Sequence, residues 1–249
     1  MQATLNPAEQ KHQGFSLQPK GYIFDYGGTL DTNGDHWGKV LWHGYQRHEI
    51  PVTEDDFREA YVYAERKLGR EPIIQPDFTF RKTLATKLRL EMQYLLTKGL
   101  WDANEFEFEH ALTQVLDDLY NGVKATTAHI REVLMVLKQR APMVLVSNFY
   151  GNISHVLEEF HLDGIFESII ESAVVGVRKP NPAIFTLGVE ALHLAPEDTL
   201  VVGDSYRKDI LPAQEAGCHT VWFKGEGWTD ETFDESVPDR VITDLSELL

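Results

Sequence analysis

Gly21-Tyr22-Ile23-Phe24-Asp25-Tyr26-Gly27-Gly28-Thr29-Leu30 is the stretch on which the fold turns. Tyr22-Ile23-Phe24 has the length and apolar character of a short buried strand, and the Gly27-Gly28 pair ends it, leaving the carboxylate of Asp25 at the strand's C-terminal end. Two later stretches repeat the arrangement: Met143-Val144-Leu145-Val146 runs into Ser147-Asn148, and Thr199 to Val202 runs into Gly203-Asp204. In an open parallel sheet ligands bind beyond the carboxyl ends of the strands, so the three polar clusters are expected to converge on one site.

Between the first of these strands and the second, the pattern changes. Trp37, Val40, Leu41 and Tyr45, then Phe57, Tyr61, Ala64 and Leu68, then Leu112, Val115, Leu116 and Leu119 follow helical spacing. Residues 35–119 are therefore expected to form an all-helical insert, set into an α/β core made of residues 21–34 and 120–249. Beyond the insert, strand and helix alternate as in a doubly wound parallel sheet with crossover helices. Thr126 or Thr127 reads as the cap of a helix carrying Ile130, Val133, Leu134 and Leu137. Ile153 to Phe160 outlines the next helix, Phe166 to Ile170 a strand, and Asn181-Pro182 the start of a helix through His193. Asp209 to Ala216 reads as a helix stopped by Gly217, and His219–Phe223 and Arg240–Ile242 as two last strands. Two lobes with a cleft between them follow from this order.

The 249 residues are 43% hydrophobic, enough for a full α/β core and a smaller inserted domain. A formal net charge of -16 argues against nucleic acid, whose affinity rests on Lys and Arg neutralising phosphates. The single cysteine, Cys218, makes no internal disulfide and suits a reducing compartment. Residues 1–20 read as a polar extension with no apolar run of the secretory kind, and no stretch has the apolar length of a membrane span, so the cytoplasm is the expected location. His43 and His48 are five apart, not the four that place two ligands on one helical face.

Taken in order, Asp25-Tyr26-Gly27-Gly28-Thr29-Leu30, Ser147-Asn148, Lys179-Pro180 and Gly203-Asp204-Ser205 with Asp209 resemble the four motifs of the haloacid dehalogenase superfamily. The resemblance covers essentially the whole chain after residue 20, and the helical insert resembles the cap that one branch carries after its first motif. It implies a Rossmann-like core and a hydrolase with Asp25 as nucleophile. It also implies Mg²⁺ held by Asp25, Asp204, Asp209 and the backbone carbonyl of Gly27. Phosphate would be bound by Gly28, Thr29, Ser147, Asn148 and Lys179, with Ser147 and Lys179 acting on the same phosphate. The chemistry agrees: a carboxylate attacking phosphorus divides one displacement into two, and phosphoryl transfer needs positioned charge around its oxygens. Carboxylate oxygens suit a hard cation such as Mg²⁺.

The sequence departs from that pattern at Gly27, where phosphatases resembling it carry a second Asp that protonates the leaving oxygen and then activates water against the aspartyl-phosphate. Three readings follow. The expected one is a phosphohydrolase for a small phosphorylated metabolite, with a good leaving group or with the proton coming from Asp31, His36 or the substrate itself. A phosphonate hydrolase would instead need a cap lysine, for which Lys39, Lys67, Lys82, Lys87 and Lys98 are available. A catalytically weak phosphate-binding protein is the third. Dehalogenases also lack that Asp, but the acidic pattern of Asp204 and Asp209 argues against them. Trp37, Trp42, Phe78 and Phe80 are candidates for the cap side of the cleft. The stretch Glu226-Gly227-Trp228 and the acidic loop after it carry no assigned role, and the sequence leaves the oligomeric state open.

Overall fold

The computed structural model describes residues 19–249. Most of the predicted N-terminal extension, including its lack of a signal-like run, lies outside them. Six parallel strands form one sheet in the order β3-β2-β1-β4-β5-β6. They are β1 (Gly21–Phe24), β2 (Met143–Ser147), β3 (Ser168–Glu171), β4 (Thr199–Gly203), β5 (His219–Phe223) and β6 (Arg240–Ile242). Register pairs Phe24 with Leu145 on one side of β1 and with Val202 on the other. The order reverses between β1 and β4, which makes the gap beyond their C-terminal ends the place where a ligand can enter.

Side-chain alternation divides the strands between two layers. Ile23, Val144, Val146 and Val201 pack with Ile184, Phe185, Val189 and Leu192 of one crossover helix (α7, Ala183–Leu192). Tyr22, Phe24, Leu145, Leu200 and Val202 face the other way, onto Ile130, Val133, Leu134 and Leu137. The sheet is covered on both faces, as a parallel sheet must be. The doubly wound core with a helical insert is therefore the observed fold.

The insert consists of α1 (Trp37–Arg47), α2 (Glu54–Leu68), α3 (Phe80–Thr97) and the first half of α4 (Glu105–Leu137). Thr53 and Asn104 cap α2 and α4 with reciprocal capping boxes to Asp56 and Glu107. One sequence expectation fails here. No helix begins at Thr126 or Thr127; α4 runs unbroken for 33 residues, about 50 Å at the usual rise per residue, through the expected 119/120 boundary. Leu112, Leu116, Leu119, Val123, Thr127, Ile130, Leu134 and Leu137 keep one buried stripe along its whole length, so nothing interrupts the helix. Thr127 is buried within it, and its hydroxyl donates to the Val123 carbonyl at 2.8 Å rather than capping.

The remaining differences are small. β3 begins two residues later than expected. The expected Asp209–Ala216 helix is a wide turn of π-helical type, Tyr206–Ile210, followed by a short α-helix, α8 (Leu211–Glu215). Pro212 sits at the start of α8, where a helix does not need its missing N–H. Two other short helices, α5 (Ile153–Glu159) and α6 (Ser172–Val175), flank β3. Among the described residues no helix is long and apolar enough to cross a membrane.

Candidate active site

Asp25 leaves the end of β1 and Asp204 leaves the end of β4, adjacent strands at the point where the sheet order reverses. The chain then enters the wide turn, which puts Asp209 on the same spot. Single carboxylate oxygens of Asp25, Asp204 and Asp209 all lie within 4.8 Å of one another. Lys179 reaches between them: its Nζ is 2.7 Å from Asp25 Oδ1 and 2.6 Å from Asp209 Oδ1. Lys179 is 3% exposed and Asp209 is fully buried, so this is a charge cluster removed from bulk water.

The cluster is held from behind. The Asn148 side chain brackets the Lys179 backbone, accepting from its N–H at 3.0 Å and donating to its carbonyl at 3.1 Å. Thr29 Oγ1 donates to Asp204 Oδ1 at 2.9 Å and accepts from the Asp204 N–H at 3.0 Å. Thr29 thus ties the β1 turn to Asp204 rather than bonding around Asp25. Asp209 Oδ2 accepts from the Ser205 N–H at 3.0 Å, and the Trp222 indole donates to the Asp204 carbonyl at 2.7 Å. Gly28 has a φ of +96°, and a Cβ there would lie 2.5 Å from the Asp204 carboxylate, so only glycine lets the two loops approach this closely.

Three carboxylates against one ammonium leave an excess of negative charge, and the titration behaviour reflects it. Burial, then Asp209 and Asp25, hold the Asp204 carboxyl well above its ordinary range. Burial raises Asp209 to about 6, with Lys179 pulling the other way and Asp25 adding to the rise. Burial alone would lower the Lys179 ammonium, but Asp209 and Asp25 more than offset this and hold it above its usual value. An all-oxygen donor set of this charge is what a divalent hard cation matches.

A cavity of about 170 Å³ opens over the cluster. It is smaller than the pockets that take drug-sized ligands, which fits a small metabolite. From the core it is lined by Asp25, Gly27, Gly28, Ser147 and Asn148, together with the Lys179, Asp204 and Asp209 cluster. All the predicted site residues except Thr29 line it, and Thr29 touches it through Asp204. Asp31, 1% exposed, also lines it, accepting from the Gly28 N–H at 2.7 Å and from the Trp37 indole at 2.9 Å. Burial raises Asp31 to about 7 despite those two donors. His36 is pushed down to about 4 by burial and by the nearby Lys208 and Lys87 charges. The neutral ring accepts from the Gly38 N–H through Nδ1, which places its proton on Nε2.

The cap side carries residues the sequence did not single out. Tyr61, Glu65, Thr83 and Leu84 face the cavity, as does Tyr150 from the core. Of the four candidate aromatics, Trp37 and Phe80 line it, while Trp42 packs on Phe57 within the insert and Phe78 does not line the cavity. Of the five cap lysines only Lys87 lines it. A signal for Lys87 existed: it lies beside the buried stripe of α3, among Leu84, Leu88, Met92 and Leu95, where a solvated lysine has no place. Trp228, in the loop given no role, packs its ring at a tilt against Tyr61 (centroids 4.9 Å apart) and His36 (5.2 Å) and so backs the cap wall. A Cβ on Gly38 would collide with its ring.

The family model of the haloacid dehalogenase-like hydrolases matches residues 19–217. Over 210 residues the chain is 32% identical to a phosphoglycolate phosphatase of Photobacterium profundum, covering 78% of this chain and 87% of that one. An 89-residue segment is 38% identical to a glyceraldehyde 3-phosphate phosphatase of Pyrococcus furiosus, over 35% of this chain and 37% of that protein. The structure of the HAD-hydrolase YfnB from Bacillus subtilis, bound to magnesium, superposes with a TM-score of 0.56 at 19% identity, covering 92% of this chain and 96% of that one. With the sheet order, the helical insert and a family match of this extent, the chain belongs to the haloacid dehalogenase-like hydrolases.

Proposed function

We propose that this chain is a Mg²⁺-dependent phosphohydrolase that takes the phosphoryl group of a small phosphorylated substrate onto Asp25 as an aspartyl-phosphate. The observation that carries the reading is the cluster of Asp25, Asp204 and Asp209, with Lys179 between two of them, at the floor of a small cavity at the sheet's switch point. Asp25, Asp204, Asp209 and the Gly27 carbonyl would hold the cation, which supplies positive charge to the phosphoryl oxygens. An Asp25 oxygen attacks phosphorus, and the bond from phosphorus to the leaving oxygen breaks. Lys179, the Ser147 hydroxyl and backbone N–H groups near Asn148 hold the phosphoryl oxygens. Water then attacks phosphorus, releasing inorganic phosphate and restoring the carboxylate.

Nothing at position 27 can protonate the leaving oxygen. His36, neutral at pH 7, is a poor acid, and Asp31 is tied by both oxygens to the β1 turn and to Trp37, a positioning role. The reading therefore favours substrates whose leaving group needs little proton help, such as acyl phosphates. The phosphonate alternative loses support, because burial notwithstanding, Glu65 keeps the Lys87 ammonium above its ordinary value and thus charged, whereas an imine-forming lysine must be neutral.

The test is phosphate release from acetyl phosphate. Mg²⁺-dependent release is expected, lost in Asp25→Asn, with a covalent phosphate on Asp25 trapped by acid quench and mass spectrometry. Release that survives in Asp25→Asn would overturn the reading.

The cation also links to pH. Asp209 is raised to about 6 from the usual 3.8, so its contribution to folding is full below about 3.8 and is lost as pH rises through about 6. A divalent cation compensates that loss only where the carboxyl is ionised. Saturating Mg²⁺ is thus expected to raise the melting temperature more at pH 8 than at pH 5, checked by scanning calorimetry. At one hundred times the dissociation constant the gain is about 2.7 kcal/mol. An equal shift at both values would contradict it.

A further inference from the structure

Opposite the carboxylate cluster, the cavity ends at an ion pair with no place in the chemistry described so far. Lys87, 8% exposed, holds its Nζ 2.6 Å from Glu65 Oε1 and 4.6 Å from the centre of the Tyr61 ring. The same Glu65 oxygen accepts from the Tyr150 hydroxyl at 3.1 Å, across the boundary between cap and core. Trp37 supplies a second aromatic face 6.0 Å from the ammonium.

We propose that this end of the cavity receives a neutral hydroxyl- or carbonyl-bearing end of the substrate and rejects a carboxylate there. The inference rests on the phosphohydrolase reading and deepens it to a substrate class. An ammonium spends one of its three N–H donors on Glu65 and keeps two, while Glu65 keeps a second oxygen and the Tyr150 oxygen can still accept. His36 adds an Nε2–H donor. A hydroxyl is both donor and acceptor, so the hydroxyl- or carbonyl-bearing tail of an acyl phosphate can satisfy this mixture. Its C–H faces suit the flanking rings of Trp37 and Tyr61.

A carboxylate is only an acceptor and would meet the Glu65 charge beside the one cation it seeks. One turn on along α3, the buried Glu91 is raised to about 8 by burial, with Lys87 pulling the other way and Glu65 adding to the rise; ionised, it would repel a carboxylate further. Arg178 and Lys208 also line the cavity, but both are exposed, where solvent screens their charge. Lys208 acts at this end too, on His36 and on Glu65, but on Glu65 less than Lys87 does.

Glycerol 3-phosphate and 3-phosphoglycerate carry the same phosphate and differ at the far carbon by a hydroxymethyl against a carboxylate. Each is measured as a competitive inhibitor of Mg²⁺-dependent acetyl phosphate hydrolysis, a readout that does not require either to be turned over. The wild type is expected to bind glycerol 3-phosphate at least about tenfold more tightly, since a carboxylate placed beside Lys87 is repelled by the Glu65 charge next to it. In Glu65→Gln, which removes the negative charge in contact with Lys87, 3-phosphoglycerate is expected to gain at least about tenfold and the ratio to narrow or invert. Equal or reversed affinities in the wild type, or an unchanged ratio in Glu65→Gln, overturn the proposal. The wild-type ratio decides by itself if the variant does not fold. No acetyl phosphate hydrolysis at all overturns the phosphohydrolase reading and this one with it, whereas hydrolysis with the wrong ratio overturns this one alone.

Discussion

Gly27→Asp is expected to raise turnover of an alkyl phosphate such as glycerol phosphate by about 10²–10⁴-fold, the usual contribution of a positioned general acid. The position is ready for it. Gly27 lines the cavity two residues after Asp25, and a Cβ there would have no heavy atom within 4 Å. Its φ lies outside the left-handed region, so a side chain adds no backbone strain. Acetyl phosphate, whose leaving carboxylate needs no proton, should gain less than the ester, because the introduced Asp can help it only in the second step, by activating water against the aspartyl-phosphate. The comparison of kcat on the two substrates is the measurement. If Gly27→Asp folds, hydrolyses acetyl phosphate normally and gains nothing on the ester, the proton already comes from elsewhere. Asp31→Asn would then separate the remaining sources, by removing the ester activity of the wild type if Asp31 is the donor and sparing it if the substrate protonates itself.

Lys179→Met should cost about 3–5 kcal/mol of stability at pH 8 without Mg²⁺, the range for removing one partner of a buried ion pair. The aliphatic stem is nearly conserved, so the loss is electrostatic: Asp25 and Asp209 would keep buried charges with no cation within reach. Two conditions should relieve it, and together they separate a charge effect from a packing effect. Mg²⁺ should restore part of the stability by replacing the lost positive charge. Lowering the pH should restore part as well, because Asp209, raised to about 6 even with Lys179 pulling it down and higher still without it, then takes up a proton. Urea unfolding at pH 8 and pH 5, with and without Mg²⁺, measures both. A destabilisation that is the same under all four conditions would show that Lys179 matters only as packing volume.

Most of the core was legible because its signals are local. Each of Asp25, Ser147 and Asp204 follows an apolar run directly, and a strand end followed by a polar residue is a pattern that needs no knowledge of the rest of the molecule. Lys179 was reached by family resemblance, and the structure supplies the reason it arrives at the site, the two-way bracket from Asn148. The cap wall was not legible in the same way. Glu65, Lys87 and Tyr150 come from three elements, and no spacing in the chain announces that α2, α3 and the loop after β2 meet. Trp228 is harder still, since it reaches the cap from a loop near the C-terminus that follows β5. The missed continuity of α4 has a different cause: Thr126-Thr127 looked like a cap, while the buried stripe through Val123 and Thr127 that argued for continuation was read as two separate stretches.

That continuous helix also limits how evolution or an engineer can exchange parts. A cap inserted between two flexible joints can be replaced like a cassette, with the core indifferent to what it carries. Here one joint, between β1 and α1, is a loop, but the other is the middle of a rod whose two halves share one apolar stripe. Exchanging residues 35–119 for another cap would cut that rod mid-span and leave each half to find a new helical phase. A mismatch of one residue turns the stripe by about 100° and points half of it at water. Functional chimeras are therefore expected to take the whole of Glu105–Leu137 from one parent.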